Sequence, residues 1–188
     1  MKSFIEQFEL TEFSNNNFAI IGRILYIATQ YEKTFRAYFN GLACKYFNYF
    51  VKEIDEFSGI EISNDFMANM NEVLNTSSKL SFHRIISIFF EKIINNAIPS
   101  NQIKDLFISA KETRNYIAHE LCNFPVEEAE NDSFKNFLQS ELEEKLKQLI
   151  ECTLIMENCI NEFNKEPLLK NISKEVDRIF AWTINPLN

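Results

Sequence analysis

Glycine and proline are scarce in this chain, with 3 Gly and 4 Pro among its 188 residues. A sandwich or barrel of many short strands needs these residues in its frequent tight turns. Their scarcity therefore favours long helices. The composition is also 46% hydrophobic and 14% aromatic, which is too apolar for a disordered segment. The sequence thus predicts an all-α protein with a hydrophobic core.

Apolar residues recur every three or four positions in four long segments, as expected for amphipathic helices. Gly41 is a place where the first helix could bend, since glycine weakens a helix interior. Ser81 is a candidate N-cap within the second segment, which could therefore be two pieces. The four predicted helical segments cover about residues 17–54, 65–96, 101–121 and 133–166.

The spacing of these segments predicts one domain over residues 1–188, built as a bundle of four to five helices with a long first helix. Its core is expected at about residues 17–165. The tail, residues 168–188, holds one short amphipathic piece around Val176, Ile179, Phe180 and Trp182. We expect this piece to pack on the bundle.

The net charge is -8, with Lys and Arg outnumbered by Asp and Glu. Proteins that bind nucleic acid broadly and without sequence preference need many cations against the phosphates. Any contact with nucleic acid must therefore be local. The basic part of the chain is residues 79–114, which carry a surplus of about three positive charges.

The N-terminal segment MKSFIEQFEL contains acidic residues where a signal peptide would need an apolar stretch. No apolar run approaches the ~20 residues of a membrane span. These features predict a cytoplasmic protein without a membrane partner. The 4 cysteines form no CxxC pair, and no histidine lies at a zinc-ligand spacing from them. We therefore expect neither a metal nor a cofactor.

Only two side chains, His83 and His119, have an unperturbed pKa near neutrality. His83 is interpreted as a partly exposed residue in the first turn of a helix. His119 ends the segment RNYIAH, residues 114–119, where Asn115 shares its helix face and can orient the imidazole. Arg114 lies about 140° around the helix from His119. The two residues would flank a groove that a second copy could complete.

An arginine, a polar residue and a histidine at this spacing, near the end of an internal helix, resemble the Arg-x4-6-His signature of HEPN domains. The resemblance implies a HEPN-like bundle and a metal-independent endoribonuclease that leaves a 2′,3′-cyclic phosphate. His119 would act as general base or acid, and Arg114 would hold the phosphate. Asn115 would hold His119 or contact the phosphate. Two motif helices commonly meet across a HEPN homodimer, forming one composite site.

Three further residues are candidates for a supporting role. Lys111 belongs to the basic stretch, and Tyr116 could stack on RNA. Some HEPN proteins place an acidic residue of the first helix near the motif, which would be Glu32 here. The alternative for Glu32 is a pair with Arg36 one turn later.

By analogy with free-standing HEPN nucleases, the expected role is that of a toxin or phage-defence effector, with an antitoxin or regulatory protein as a further partner. HEPN toxins paired with a nucleotidyltransferase antitoxin carry a tyrosine two residues after the histidine. This chain has Leu121 there, which weakens that pairing. The alternative function is a non-catalytic HEPN-like module that binds a partner protein or a nucleotide, in which Arg114 and His119 merely suit a helix end.

Overall fold

The structure is a computed structural model that describes residues 15–56, 81–94, 98, 100–119, 121 and 132–184. All five elements in these ranges are helices, which confirms the all-α prediction and the long first helix. None of them is both long and apolar enough to cross a membrane. The helices are α1 (Asn15–Glu56), α2 (Phe82–Ile88, continuing as the π-helical turn Phe89–Ile93), α3 (Asn101–His119), α4 (Asp132–Phe137, a π-helical turn Leu138–Leu142, then Glu143–Asn164) and α5 (Ile172–Ile184).

Helix α1 extends over 42 residues and buries the predicted apolar stripe. Gly41 lies within the helix and does not interrupt it. A stripe at this spacing stays on one face, because each residue advances the helix by about 100°. The buried members of the stripe are Ile20, Ile24, Ile27, Tyr31, Phe35 and Tyr38.

Serine side chains cap two helices at their N-termini. The Ser81 hydroxyl accepts a hydrogen bond from the Arg84 N–H at 3.3 Å, which confirms the predicted cap of α2. The Ser100 hydroxyl accepts one from the Ile103 N–H at 3.5 Å before α3 begins. Each bond satisfies a backbone donor that has no partner within its own helix. The predicted beginning of a helix near residue 65 lies outside the described residues.

Helix α4 ends at Asn164, slightly before the end predicted from Pro167. Lys165 follows in the left-handed conformation, with φ of 59°. Its N–H donates to the Glu162 carbonyl at 3.2 Å, and the Glu166 N–H donates to the Asn161 carbonyl at 2.8 Å. These two bonds form a Schellman motif, which closes the helix before the proline is reached.

Replacing Lys165 with glycine should raise the free energy of unfolding by about 1 kcal/mol, because glycine adopts positive φ without the steric cost that a Cβ imposes. Urea denaturation followed by circular dichroism would measure the change. The matched control is Lys170→Gly, since Lys170 is also exposed but is not among the described residues with positive φ. A Lys165→Gly variant no more stable than the wild type, or an equal gain in stability from Lys170→Gly, would contradict this explanation of the helix end.

Two compact units divide the chain, and α1, α3 and α4 each contribute residues to both. The first unit contains the described residues up to Tyr31, those of Asp105–Ile155 and those from Leu169 onward. Its core includes the first half of the α1 stripe and the apolar faces of α3, α4 and α5. The predicted tail piece is α5, in which Val176 and Phe180 are buried whereas Trp182 is exposed.

The second unit contains the described residues of Glu32–Lys104 and Met156–Leu168. Aromatic rings fill its core. Phe89 of α2 is fully buried and packs edge-to-face on Phe35 of α1, with ring centroids 5.1 Å apart. Phe35 also contacts Phe82 edge-to-face at 5.8 Å. The single domain predicted over residues 1–188 stays a prediction.

Candidate functional site

Helix α3 carries the motif residues in its last turns and belongs to the first unit from Asp105 onward. It is held by four buried residues spaced three or four apart, so that one face of the helix enters the core. A hydrogen bond from the Ser109 hydroxyl to the Gln148 amide oxygen also joins α3 to α4. The buried residues are Phe107, Ala110, Thr113 and Ile117. Segment 114–119 is therefore fixed in orientation by the turns that precede it.

Arg114 lies beside the buried face of α3, about 40° around the helix from Ala110. Its side chain is half-buried and close enough to Tyr31 of α1 for the two groups to affect each other's pKa. Burial lowers the pKa of the Arg114 guanidinium, and the interaction with Tyr31 opposes that change. A guanidinium in a protein nevertheless keeps its charge at neutral pH. Arg114 thus places a permanent cation at the edge of the core.

Tyr31 is fully buried, and burial raises the pKa of its phenol well above 10.0. Cys152 of α4 raises the Tyr31 pKa further, whereas the charge of Arg114 lowers it. Burial also raises the pKa of the Cys152 thiol. Both groups are therefore neutral at physiological pH. Three helices, α1, α3 and α4, therefore meet at Tyr31.

Asn115 is exposed, and its Oδ1 accepts a hydrogen bond from Arg114 Nη1 at 3.1 Å. The sequence predicts that Asn115 holds His119 or contacts the phosphate. In the structure its amide oxygen contacts the guanidinium, and the residue still shares a helix face with His119, one turn later. Asn115 therefore lies between Arg114 and His119 around the helix. Its role in catalysis stays a prediction.

His119 is the last residue of α3, and its side chain is exposed. It lies about 180° around the helix from Ala110 and about 140° from Arg114. The imidazole thus points away from the core face, on the exposed side of the helix. Within one copy of the chain, the helix geometry does not direct Arg114 and His119 towards one point.

Ile108 lies on the same exposed face as Asn115 and His119. It precedes Asn115 by about two helical turns and His119 by about three. Its side chain is 38% exposed. A large aliphatic residue in this position adds an apolar contact to a face that otherwise carries polar groups. The exposed face of the motif helix therefore carries both the candidate catalytic histidine and an apolar side chain that a partner could bury.

The supporting candidates occupy different surroundings. Lys111 is half-buried and lies one turn before Arg114 and Asn115 on α3. The Tyr116 ring stacks on Phe137 of α4 with centroids 6.3 Å apart. Lys145 Nζ lies 5.4 Å from the centroid of the Tyr116 ring. Tyr116 thus packs α3 on α4, and this contact occupies part of the ring predicted to stack on RNA.

Glu32 follows Tyr31 directly in α1 and is half-buried, with one carboxylate oxygen buried. It belongs to the second unit, whereas the motif belongs to the first. Its proposed place near the motif stays a prediction.

Tyr31 and Cys152 were not candidates from sequence, although the structure puts Tyr31 next to Arg114 in an electrostatic contact. The apolar stripe of α1 indicates that Tyr31 is buried, but spacing within one helix does not say which other helix it meets. In the described ranges, no group of three or more His, Cys, Asp or Glu side chains could hold a metal ion.

The resemblance to HEPN domains predicted from the sequence rests on the motif residues and their placement on an internal helix. The arginine, asparagine and histidine lie on α3, with the arginine charged and half-buried and the histidine exposed. These observations describe a candidate half-site. Comparison of the whole chain with protein-family models, with curated proteins and with solved structures finds no match in any of the three.

Proposed function

We propose that this protein is a metal-independent endoribonuclease of the HEPN type. The observation that carries the proposal is the arrangement on α3 of a charged, half-buried arginine and an exposed histidine, with Asn115 hydrogen-bonded to that arginine. A fixed cation suits the binding of a phosphate, and a histidine suits proton transfer near neutral pH. Both are requirements of RNA cleavage without a metal.

In the proposed reaction, the 2′-oxygen of a ribose attacks the adjacent phosphorus, and the bond from phosphorus to the 5′-oxygen of the next nucleotide breaks. A general base takes the proton of the 2′-hydroxyl, and a general acid gives a proton to the departing 5′-oxygen. The products are a 2′,3′-cyclic phosphate and a 5′-hydroxyl. His119 supplies the acid or base, while Arg114 stabilises the negative charge that develops on the phosphate oxygens.

A homodimer supplies the second proton-transfer group. One copy offers one His119, pointing away from the core and about 140° from its own Arg114. Two copies related by a twofold axis would bring two motif helices together, with each contributing one arginine and one histidine to a shared cleft. Exposed Ile108 on the same face supports contact between copies.

The proposed setting is the cytoplasm, where the enzyme would act on cellular or phage RNA as a toxin or a defence effector. This role comes from the resemblance to free-standing HEPN nucleases. An antitoxin or regulatory protein that silences the nuclease is part of the same proposal. Leu121 is buried just after α3, so the tyrosine that one class of HEPN toxins carries at this position is replaced by an apolar core residue.

Incubation of the purified protein with total RNA tests the reaction directly. We expect cleavage that persists in excess EDTA, because no metal takes part in the proposed chemistry. The fragments should carry 2′,3′-cyclic phosphates, which resist phosphatase until acid opens the ring, and 5′-hydroxyls, which polynucleotide kinase labels without prior phosphatase treatment.

Cleavage that EDTA abolishes, or fragments that carry 5′-phosphates, would contradict the proposed mechanism. A folded protein that cleaves no RNA under any condition would favour the non-catalytic module that binds a partner protein or a nucleotide.

A further inference from the structure

Two aromatic rings from distant parts of the chain meet on the surface of the first unit. Tyr26 of α1 is 54% exposed and Trp182 of α5 is 47% exposed. Their ring centroids lie 6.3 Å apart, with the ring planes at 71°. Exposed tyrosine and tryptophan rings in contact with each other are a common feature of binding surfaces, because they offer a large contact area with few rotatable bonds.

Contacts with Arg23 and the packing of α5 fix the position of Trp182 and still leave about half of its side chain exposed. The Arg23 guanidinium lies 5.3 Å from the centroid of the indole ring, and its Nη1 donates to the Trp182 carbonyl at 2.7 Å. Val176 and Phe180 anchor α5 in the core. A ring that is already ordered loses little conformational entropy when a ligand binds to it.

The surface beside Tyr26 is open. Gly22 lies one turn earlier on the same face of α1 and is exposed, and a Cβ added to it would meet nothing within 4 Å apart from the adjoining residues and backbone of its own helix. Arg178 lies one turn before Trp182 on α5 and is largely exposed, in a salt bridge with Glu175 at 2.7 Å. Arg23 therefore holds a guanidinium against the indole ring, whereas Arg178 is paired with Glu175 in the turn of α5 before Trp182.

We propose that Tyr26 and Trp182 form a stacking site for a base of single-stranded RNA. The inference rests on the proposed ribonuclease function and adds a second place, outside the motif residues, where the substrate is held. Stacking suits a chain with a net charge of -8, because it supplies affinity from ring contact rather than from many phosphate contacts. The Arg23 guanidinium beside the rings complements a backbone phosphate of the same strand.

Trp182 is the only tryptophan of the chain, so its fluorescence reports on this site alone. The probe is a short single-stranded RNA with 2′-O-methyl groups, which cannot undergo attack by the 2′-oxygen. We expect saturable quenching of the fluorescence as this RNA is added to the full-length protein. Tyr26→Ala should weaken binding about tenfold, and Tyr26→Phe should keep it near the wild-type affinity.

The matched control is Phe163→Ala, since Phe163 is an aromatic side chain with the same 54% exposure outside this pair. It should leave the affinity for the RNA unchanged, and circular dichroism should show that all variants are folded. Equal weakening by Tyr26→Ala and Phe163→Ala would overturn the stacking site. A fluorescence change that depends on protein concentration without RNA would also overturn it, because a second copy would then occupy the surface.

The test separates this site from the proposed catalysis. Cleavage of unmodified RNA without any quenching by the methylated RNA would overturn the stacking site and leave the ribonuclease function standing. Quenching that Tyr26→Ala weakens, in a protein that cleaves no RNA, would support the stacking site and remove the ribonuclease function.

Discussion

Replacing His119 with alanine should lower the rate of RNA cleavage by about 10²- to 10⁴-fold, which is the usual contribution of a general acid or base. The side chain is exposed at the end of α3, so its removal should leave the fold intact. The rate is measured with a labelled RNA in the presence of EDTA, and circular dichroism checks the helical content of the variant.

The other histidine provides the matched control. His83 is also exposed, and it lies in the first turn of α2. His83→Ala also removes an exposed imidazole, but one outside the motif, and should leave the cleavage rate close to that of the wild type. A His119→Ala variant that cleaves at the wild-type rate would remove the catalytic assignment. Equal losses in the two variants would indicate an effect on folding or on RNA binding.

The helices of this protein could be predicted from the sequence because local rules govern them. The apolar stripe of α1 predicted which of its faces is buried, and Ser81 was predicted as the cap that the structure places before α2. The end of α4 was predicted from Pro167, but Lys165 ends the helix first. A lysine in the left-handed conformation has no sequence signal comparable to that of glycine.

Contacts between helices could not be predicted in the same way. The amphipathic pattern of α5 placed Trp182 with the residues that pack on the bundle, whereas the structure leaves it exposed beside Tyr26. The same applies to Tyr31 and Arg114, whose interaction depends on how α1 and α3 pack. Periodicity identifies a buried face of one helix but carries no information on the helix that covers it.

Replacing Ile108 with glutamate should convert a dimeric protein to a monomer and abolish most of its RNA cleavage. The wild type should show about twice the chain mass of 22.1 kDa by light scattering at micromolar concentration. Ile108 is 38% exposed, so a partner can bury only that part of the side chain, which is worth about 0.5–1 kcal/mol in each of the two copies of a twofold dimer. Losing this contact should raise the dissociation constant about tenfold, and the cost of burying a carboxylate adds to that increase.

This prediction follows from the geometry of α3. The exposed face that carries Ile108 also carries Asn115 and His119, so a partner that covers the isoleucine would lie beside the catalytic candidate. Loss of the dimer should therefore remove activity even though the Arg114–His119 segment is unchanged. The folding of the variant should be unaffected, since Ile108 is 38% exposed and lies outside the buried face of the helix.

Leu168→Glu is the matched control, because Leu168 is an exposed aliphatic residue that lies after the end of α4. It introduces the same charge and should leave both the mass and the cleavage rate unchanged. A wild-type protein that is monomeric and still cleaves RNA would rule out a site shared between two copies. In that case a single His119 would have to serve with another proton-transfer group of the same chain.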